Sequence, residues 1–315
     1  MLFIVGCSST NTPPQPLPTL VRFPTITPTL PVLTSPTVIA LPSQTMTATS
    51  TATLAMTATA RLQVFATDTI TPTMQATITP TATALPTQFI FGQSVAGRDL
   101  VAYRYGTGQY IIMLVGGIHA GFEANTVDLL SQLQQYFQNN PTAIDPNMSF
   151  IIIPSLNPDG ATRGRNLEGR FNANRVDLNR NWGCGWSPDA VFRDIPVDAG
   201  DRAFSEPETT ALGSLIQRVQ PVAVIFYHAA ANGVFAGNCD DNTTDSEALA
   251  AIYGEASGYP YGVGFGDYEV TGTAPGWVDS IGILALDVEL ATADTAEFNR
   301  NLRAIERIQT WLQNR

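Results

Sequence analysis

Two histidines and one glutamate are the residues of this sequence whose types and spacing could bind a catalytic metal. His119 and His228 are the only histidines among the 315 residues, and each follows an apolar run typical of a buried strand. Glu123 lies four residues after His119, so a bend or one helical turn would bring both side chains to the same side. Two imidazoles and a carboxylate, with a fourth position left for water, form the ligand set of a catalytic zinc site. We therefore predict that His119, Glu123 and His228 hold one zinc ion.

Several longer motifs accompany this ligand set. In chain order they are Gly92-Gln-Ser-Val-Ala-Gly-Arg98, Gly116-Gly-Ile-His-Ala-Gly-Phe-Glu123, Asn157-Pro-Asp-Gly160, Arg170-Phe-Asn-Ala-Asn-Arg-Val-Asp-Leu-Asn-Arg-Asn-Trp182, Tyr268-Glu-Val-Thr-Gly-Thr-Ala-Pro-Gly-Trp277 and Leu286-Asp-Val-Glu-Leu290. The ordered set resembles the zinc carboxypeptidase family of the carboxypeptidase A type, over residues 88–315. That family begins its metal motif with His-x-x-Glu, whereas this chain has one residue more. Asp128 is the only other carboxylate close to His119 in the sequence.

The resemblance implies a role for each remaining site residue. Glu289 takes the place of the catalytic glutamate, and Arg170 that of the arginine that polarises the scissile carbonyl. Asn179 and Arg180 match the pair that grips the terminal carboxylate of the substrate, and Tyr268 matches the tyrosine that closes over it. Arginine suits these tasks because its planar guanidinium stays charged and binds a carboxylate through two parallel hydrogen bonds.

The function implied by this set is that of a zinc-dependent metallocarboxypeptidase. Zinc would activate a water molecule, Glu289 would act as general base, and the substrate would be a peptide with a free C-terminal carboxylate. Related enzymes of the same superfamily cleave the bond between D-glutamate and a diamino acid in cell-wall peptides, which is the alternative activity. Pro275 and Gly276, near the expected specificity pocket, are small and uncharged, which argues against selection of basic side chains.

Functions from other classes fit the sequence less well. A non-catalytic binding protein with the same fold would not need both histidines and both glutamates. A serine hydrolase of the Gly-x-Ser-x-Gly type is excluded because the sequence lacks that motif. Nucleic-acid binding is disfavoured by the net charge of -11 and by the absence of a clustered basic stripe.

The fold class follows from the order of apolar patterns. Runs typical of strands lie at 99–105, 110–115, 149–153, 222–227 and 283–290, and helical spacing of apolar residues marks 124–137 and 298–312. Ser205 and Glu208 have the spacing of a capping box at the start of a further helix. Strands alternating with helices predict a three-layer α/β/α fold with a mixed, mostly parallel sheet. His119 and His228 follow strand ends, where such sheets bind ligands.

Composition divides the chain into three parts. Residues 1–7 resemble the end of a bacterial lipoprotein signal, with the lipobox-like Ile4-Val-Gly-Cys7, which implies a lipid anchor on Cys7. Residues 8–87 are rich in Thr and Pro and predict a disordered linker, because such a stretch buries too little apolar surface to fold. Residues 88–315 form the predicted catalytic domain. We expect an extracytoplasmic bacterial protein, either membrane-anchored or secreted.

The cysteine count agrees with this location. If Cys7 carries lipid, Cys184 and Cys239 remain as a pair in the catalytic domain. They could form a disulfide, or they could be two buried thiols, because the sequence does not show how close their Cα atoms lie.

Overall fold

The computed structural model describes residues 87–239, 244–266 and 268–315. The predictions of a lipid anchor on Cys7 and of a disordered linker lie outside these described residues, except for Thr87, and they stay predictions. Within the described ranges, no helix is both long and apolar enough to span a bilayer.

Seven strands of the described residues form a mixed sheet. They are β1 (Gln88–Gln93), β2 (Asp99–Gly106), β3 (Tyr110–Val115), β4 (Met148–Ile153), β7 (Ala223–Ala229), β8 (Gly233–Ala236) and β9 (Leu284–Leu290). Their order across the sheet is β1-β2-β4-β3-β7-β9-β8. The central strands β4, β3, β7 and β9 are parallel, whereas β2 and β8 run antiparallel to their neighbours. A separate hairpin pairs β5 (Val191–Phe192) with β6 (Ile195–Pro196). The mixed sheet confirms the predicted class.

Helices cover both faces of the sheet. They are α1 (Ala124–Asn139), α2 (Pro158–Ala161), α3 (Pro207–Val219), α4 (Ser246–Ser257), α5 (Ala274–Ser280) and α6 (Phe298–Gln313). On one face α1, α4 and α6 bury residues such as Leu129, Leu249 and Ile305, and on the other α3 and α5 bury Leu212 and Val278. Full burial of each such side chain contributes roughly 1.5–3 kcal/mol. Covering on both faces explains why β3 and β4 are continuous apolar runs rather than alternating ones.

The strands and helices predicted from apolar patterns agree with these elements to within a few residues. The capping box is wrong. Helix α3 begins at Pro207 with Glu206 as its N-cap residue and without a side-chain capping hydrogen bond. The Ser205 hydroxyl donates to the Glu206 carboxylate, and the Glu208 carboxylate instead accepts from the Val95 backbone N–H and from Asn172. The Ser205 hydroxyl also accepts from the Asn181 side chain, so both side chains that the local pattern assigned to the helix end bind residues distant in sequence.

A disulfide joins Cys184 to Cys239, whose Cα atoms lie 6.1 Å apart. This separation is within the range that a disulfide spans. The bond ties the loop after the 3-10 helix Leu178–Arg180 to the segment that follows β8. Of the two alternatives left open by the sequence, the structure contains the paired form.

Candidate active site

His119, Glu123 and His228 meet at the carboxyl ends of the parallel strands. One ligand atom from each lies within 4.8 Å of the others, and all three residues are buried. The His119 and His228 Nδ1 atoms each lie 3.0 Å from a different oxygen of the Glu123 carboxylate. These separations are close to the roughly 3.3 Å expected between ligands of a tetrahedral zinc with bonds of about 2.0–2.1 Å. The donor set and its geometry therefore fit zinc.

The extra residue between His119 and Glu123 is accommodated by a turn of helix. The Glu123 N–H donates to the His119 carbonyl at 2.7 Å, which is the i to i+4 bond of an α-helical turn just before α1 begins. Residues four apart lie on the same side of such a turn, so both side chains face the same point. Asp128 lies one turn further along α1 and is exposed. The alternative carboxylate is therefore not part of the cluster.

The charges within the metal cluster depend on each other. Burial alone would raise the pKa of Glu123, but His119 and His228 outweigh it and hold that pKa well below the ordinary value. Burial alone would lower the pKa of His228, but the Asp287 and Glu123 carboxylates raise it to about 9. In the metal-free protein, His228 therefore carries the positive charge that a cation would otherwise supply.

Asp177 contacts the outer nitrogen of His119, and it was not predicted from the sequence as a site residue. Its Oδ1 lies 2.9 Å from His119 Nε2 and accepts from the Asn179 N–H, while its Oδ2 accepts from Arg170 Nε at 2.7 Å. Burial alone would raise the pKa of Asp177, but Arg170 and His119 hold it well below the ordinary value. A carboxylate on the outer nitrogen of a metal-binding imidazole fixes the ring and its tautomer. Its place inside the 170–182 motif was the only signal for it.

Arg170 reaches the cavity beside the metal cluster. Its guanidinium lies 3.9 Å from the centre of the Phe192 ring, and its Nη1 is 3.7 Å from the Glu123 carboxylate. While its Nε donates to Asp177, Arg170 also lines the cavity that His119, Glu123 and His228 line. This arrangement lets Arg170 donate to an oxygen of a bound substrate.

Asn179 and Arg180 are fixed by backbone groups on one side and open to the cavity on the other. Asn179 Oδ1 accepts from the Ala274 N–H, and Arg180 donates to the carbonyls of Val191 and Asn179. Arg180 Nη2 is buried and has no hydrogen-bond partner among the described residues. A buried guanidinium nitrogen without a hydrogen-bond partner is available to an anion. Tyr268 is a neighbour of this guanidinium, since Arg180 opposes the rise that burial causes in the pKa of Tyr268.

Glu289 lies opposite His228 in the β7–β9 register. Its Oε2 accepts from the Ala231 N–H at 3.1 Å. Burial is the largest effect on its pKa, which is raised to about 7. A carboxylate with a pKa near neutrality can accept a proton at pH 7 and release it again within one catalytic cycle. The side chain is therefore electrostatically suited to general acid–base chemistry.

A cavity of about 470 Å³ adjoins these groups apart from Asp177, which does not line it. Its lining includes every residue predicted from the sequence as a site residue, namely His119, Glu123, Arg170, Asn179, Arg180, His228, Tyr268 and Glu289. The Tyr268 ring lies 6.0 Å from the Arg180 guanidinium carbon. The structure therefore brings together residues that span 170 positions of the chain.

Fold and site together identify the class of protein. The sequence profile of the zinc carboxypeptidase family matches residues 76–314. The chain belongs to the zinc carboxypeptidase family, whose members use zinc, and His119, Glu123 and His228 form a group that could hold a metal ion.

The relatives include murein peptide amidases and a bacteriocin. Murein peptide amidase A of Vibrio campbellii is 31% identical over 216 residues, which is 65% of this chain and 80% of that protein. Murein peptide amidase A of Escherichia coli is 31% identical over 150 residues, 44% of this chain and 57% of that protein. Bacteriocin BCN5 of Clostridium perfringens is 31% identical over 217 residues, 64% of this chain but only 22% of that protein. The chain therefore spans less than two thirds of two of these relatives.

Solved structures confirm the fold. Murein-tripeptide amidase from Escherichia coli O157 has a TM-score of 0.54 and 24% identity, covering 73% of this chain and 94% of that one. Bovine thrombin-activatable fibrinolysis inhibitor, bound to a tick carboxypeptidase inhibitor, has a TM-score of 0.61 and 19% identity, covering 72% and 90%. At these identities the similarity concerns the arrangement of the backbone.

Proposed function

We propose that this chain is a zinc-dependent metallocarboxypeptidase that hydrolyses the C-terminal peptide bond of its substrate. The observation that carries this proposal is Arg180 Nη2, a buried and unpartnered cationic nitrogen in the same cavity as the metal cluster. A free α-carboxylate is the substrate group that satisfies it, because guanidinium binds carboxylate with charge-assisted hydrogen bonds. Asn179 and Tyr268 line the same cavity and complete a recognition site for that carboxylate.

The proposed reaction is hydrolysis by a water molecule that Glu289 deprotonates. Zinc held by His119, Glu123 and His228 would supply Lewis acidity that lowers the pKa of that water. The Glu289 carboxylate takes the proton as the water oxygen forms its bond to the scissile carbonyl carbon. Arg170 donates to the carbonyl oxygen, where negative charge develops. Glu289 then gives the proton to the leaving amine as the C–N bond breaks, which returns the carboxylate to its initial state.

A second candidate is hydrolysis of the bond between D-glutamate and a diamino acid in cell-wall peptides. It is favoured by the match to murein peptide amidase A of Vibrio campbellii, which extends over 80% of that protein. Both candidates use the same metal cluster, the same general base and a free carboxylate next to the cleaved bond. They differ in the residue on the acyl side of that bond.

Peptides with free and blocked C-termini test the proposal. The zinc-loaded protein should cleave an N-acyl dipeptide and leave the corresponding C-terminal amide intact. Arg180→Met should lower kcat/KM for the free acid by about 10- to 150-fold, the contribution of a charge-assisted hydrogen bond. Arg303→Met, which removes an exposed arginine of α6, is the matched control and should change nothing.

Two outcomes would count against the assignment. Equal cleavage of the amide would remove the exopeptidase proposal. Cleavage of L-alanyl-γ-D-glutamyl-diaminopimelate with no cleavage of acyl dipeptides would favour the amidase.

A further inference from the structure

Asp287 is a carboxylate on the wall of the active-site cavity that the proposed reaction does not use. It lies two residues before Glu289 on β9, so both side chains point to the same face of the sheet. In the register, Asp287 lies opposite Phe226 of β7 and Phe235 of β8, whereas Glu289 lies opposite His228. Asp287 is therefore about 7 Å further from the strand ends than the general base. This depth places it beneath the reacting groups.

The Asp287 carboxylate has one charged contact within the described residues, and its Oδ1 has no hydrogen bond. Its side chain is 18% exposed, and the nearest cation is His228 Nε2 at 3.4 Å from Oδ1. Oδ1 is buried and forms no hydrogen bond with any described residue. Buried carboxylates are normally paired, because an uncompensated charge is costly to remove from water. A carboxylate that lines a cavity, with one long ion pair and no hydrogen bond to Oδ1, is therefore available to a cation that enters from that cavity.

The walls around Asp287 leave room for an extended side chain. Gly237, Pro275 and Gly276 line the same cavity as Asp287, and none of them carries a long side chain. These small residues cannot narrow the space in front of the carboxylate. A second acidic residue, Glu247 of α4, lines the same cavity and adds negative charge.

The charges of the cavity are divided between elements. Arg170 and Arg180 come from the long segment between β4 and α3, whereas Asp287 and Glu247 come from β9 and α4. A ligand with a carboxylate and an ammonium group joined by a short aliphatic chain would satisfy both sets. That is the chemistry of a C-terminal amino acid whose side chain ends in an amine.

We propose that Asp287 determines substrate specificity by selecting a C-terminal residue whose side chain carries an ammonium group, as lysine, ornithine and diamino acids do. The proposal rests on the proposed hydrolysis next to a free carboxylate, and it applies equally to a peptide and to a diamino-acid amide. It runs against the expectation drawn from Pro275 and Gly276, which took the specificity pocket to be uncharged.

Three substrates that differ only at the end of the last side chain test this assignment. They are N-benzoylglycyl-lysine, N-benzoylglycyl-norleucine and N-benzoylglycyl-(Nε-acetyl)lysine. The wild-type protein should show kcat/KM for lysine at least about tenfold above those for the two uncharged substrates. Asp287→Asn keeps the size of the side chain and should lower the lysine-to-norleucine ratio by about 10- to 150-fold. Asp128→Asn, an exposed carboxylate of α1 outside the cavity, should leave the ratio unchanged.

The ratio separates specificity from a positioning role for Asp287 through His228. If Asp287 only oriented His228, Asp287→Asn would reduce both rates equally and lower zinc content, and the proposal would be overturned. A wild-type preference for norleucine would overturn it as well.

Binding of the released product keeps the test independent of catalysis. If the protein cleaves none of the substrates, the proposed hydrolysis fails. Calorimetric titration with L-lysine and L-norleucine then decides the specificity assignment. Tighter binding of L-lysine that is lost in Asp287→Asn supports it, and equal binding overturns it.

Discussion

Replacing Asp177 by Asn is the most informative change to the support of the metal site. The amide Oδ1 can still accept from His119 Nε2 and from the Asn179 N–H, but the amide nitrogen would face Arg170 Nε, which is also a donor. The variant thus loses one charge-assisted hydrogen bond and leaves the buried Arg170 guanidinium without that partner. Breaking a buried ion pair in this way costs about 3–5 kcal/mol.

This cost should appear as lower stability and weaker zinc binding. In the zinc-free protein, 3–5 kcal/mol corresponds to a drop in melting temperature of roughly 6–20 °C for a domain of this size. Zinc affinity should fall about 10- to 100-fold, because Asp177 fixes the orientation of His119. Since the pKa of Asp177 is depressed in the folded state, its stabilisation is complete above pH about 4 and is lost as pH falls further. The difference in stability from wild type should therefore persist at pH 5–8.

Calorimetric melting and zinc competition against a chelator would measure both effects. Glu206→Gln is the matched control, since it removes another buried carboxylate whose side-chain partners, Ser205, Asn172 and Asn174, do not line the cavity. Its zinc affinity should equal that of wild type. If Asp177→Asn retained wild-type zinc affinity and activity while folded, the role assigned to Asp177 would be refuted.

Three further predictions concern proton transfer, metal binding and the disulfide. Glu289→Gln should retain zinc and lower kcat by about 10²- to 10⁴-fold. In the wild-type enzyme kcat/KM should rise with pH and reach a plateau at or below pH 7, because bound zinc lowers the Glu289 pKa from its metal-free value of about 7. Zinc affinity should increase about tenfold per pH unit between pH 6 and 8, because His228, whose pKa is raised to about 9 in the metal-free protein, must lose a proton to bind zinc. An affinity that does not change with pH would contradict this. Reduction of Cys184–Cys239, which are 55 residues apart, should lower the free energy of unfolding by about 4 kcal/mol, measured by denaturant titration with and without reductant and compared with the Cys184→Ser/Cys239→Ser double variant.

The parts of the fold that could be predicted are those set by local pattern. The runs at 110–115 and 149–153 became β3 and β4 because both faces of those strands are covered, which only continuous apolar sequence tolerates. Helix α4 was missed, although it buries Leu249 and Tyr253 against α6, because small residues such as alanine around them blur the helical spacing. Ser205 shows the opposite case, because its hydroxyl binds the side chains of Asn181 and Glu206 instead of capping the helix as the local pattern predicted.

Some residues of the site could likewise be predicted from sequence motifs, whereas others depend on the tertiary structure. Its cavity-lining residues could be named because ordered motifs carry them and because few residue types bind zinc or carboxylates. Asp177 and Asp287 could not be given roles, since each depends on a neighbour distant in sequence, His119 in one case and the cavity wall in the other. Which side chains of β9 face the cavity is fixed by the pairing with β7 and β8, and that register is not visible in a single strand.

Titration of metal-free protein with zinc, followed by hydrolysis of an N-acyl dipeptide, tests the central claim most directly. Activity should be absent without metal, rise linearly and stop at one zinc per chain, and Glu123→Ala should show no such rise. Full activity in the metal-free protein, or an unchanged titration in Glu123→Ala, would contradict the assignment of one catalytic zinc to His119, Glu123 and His228.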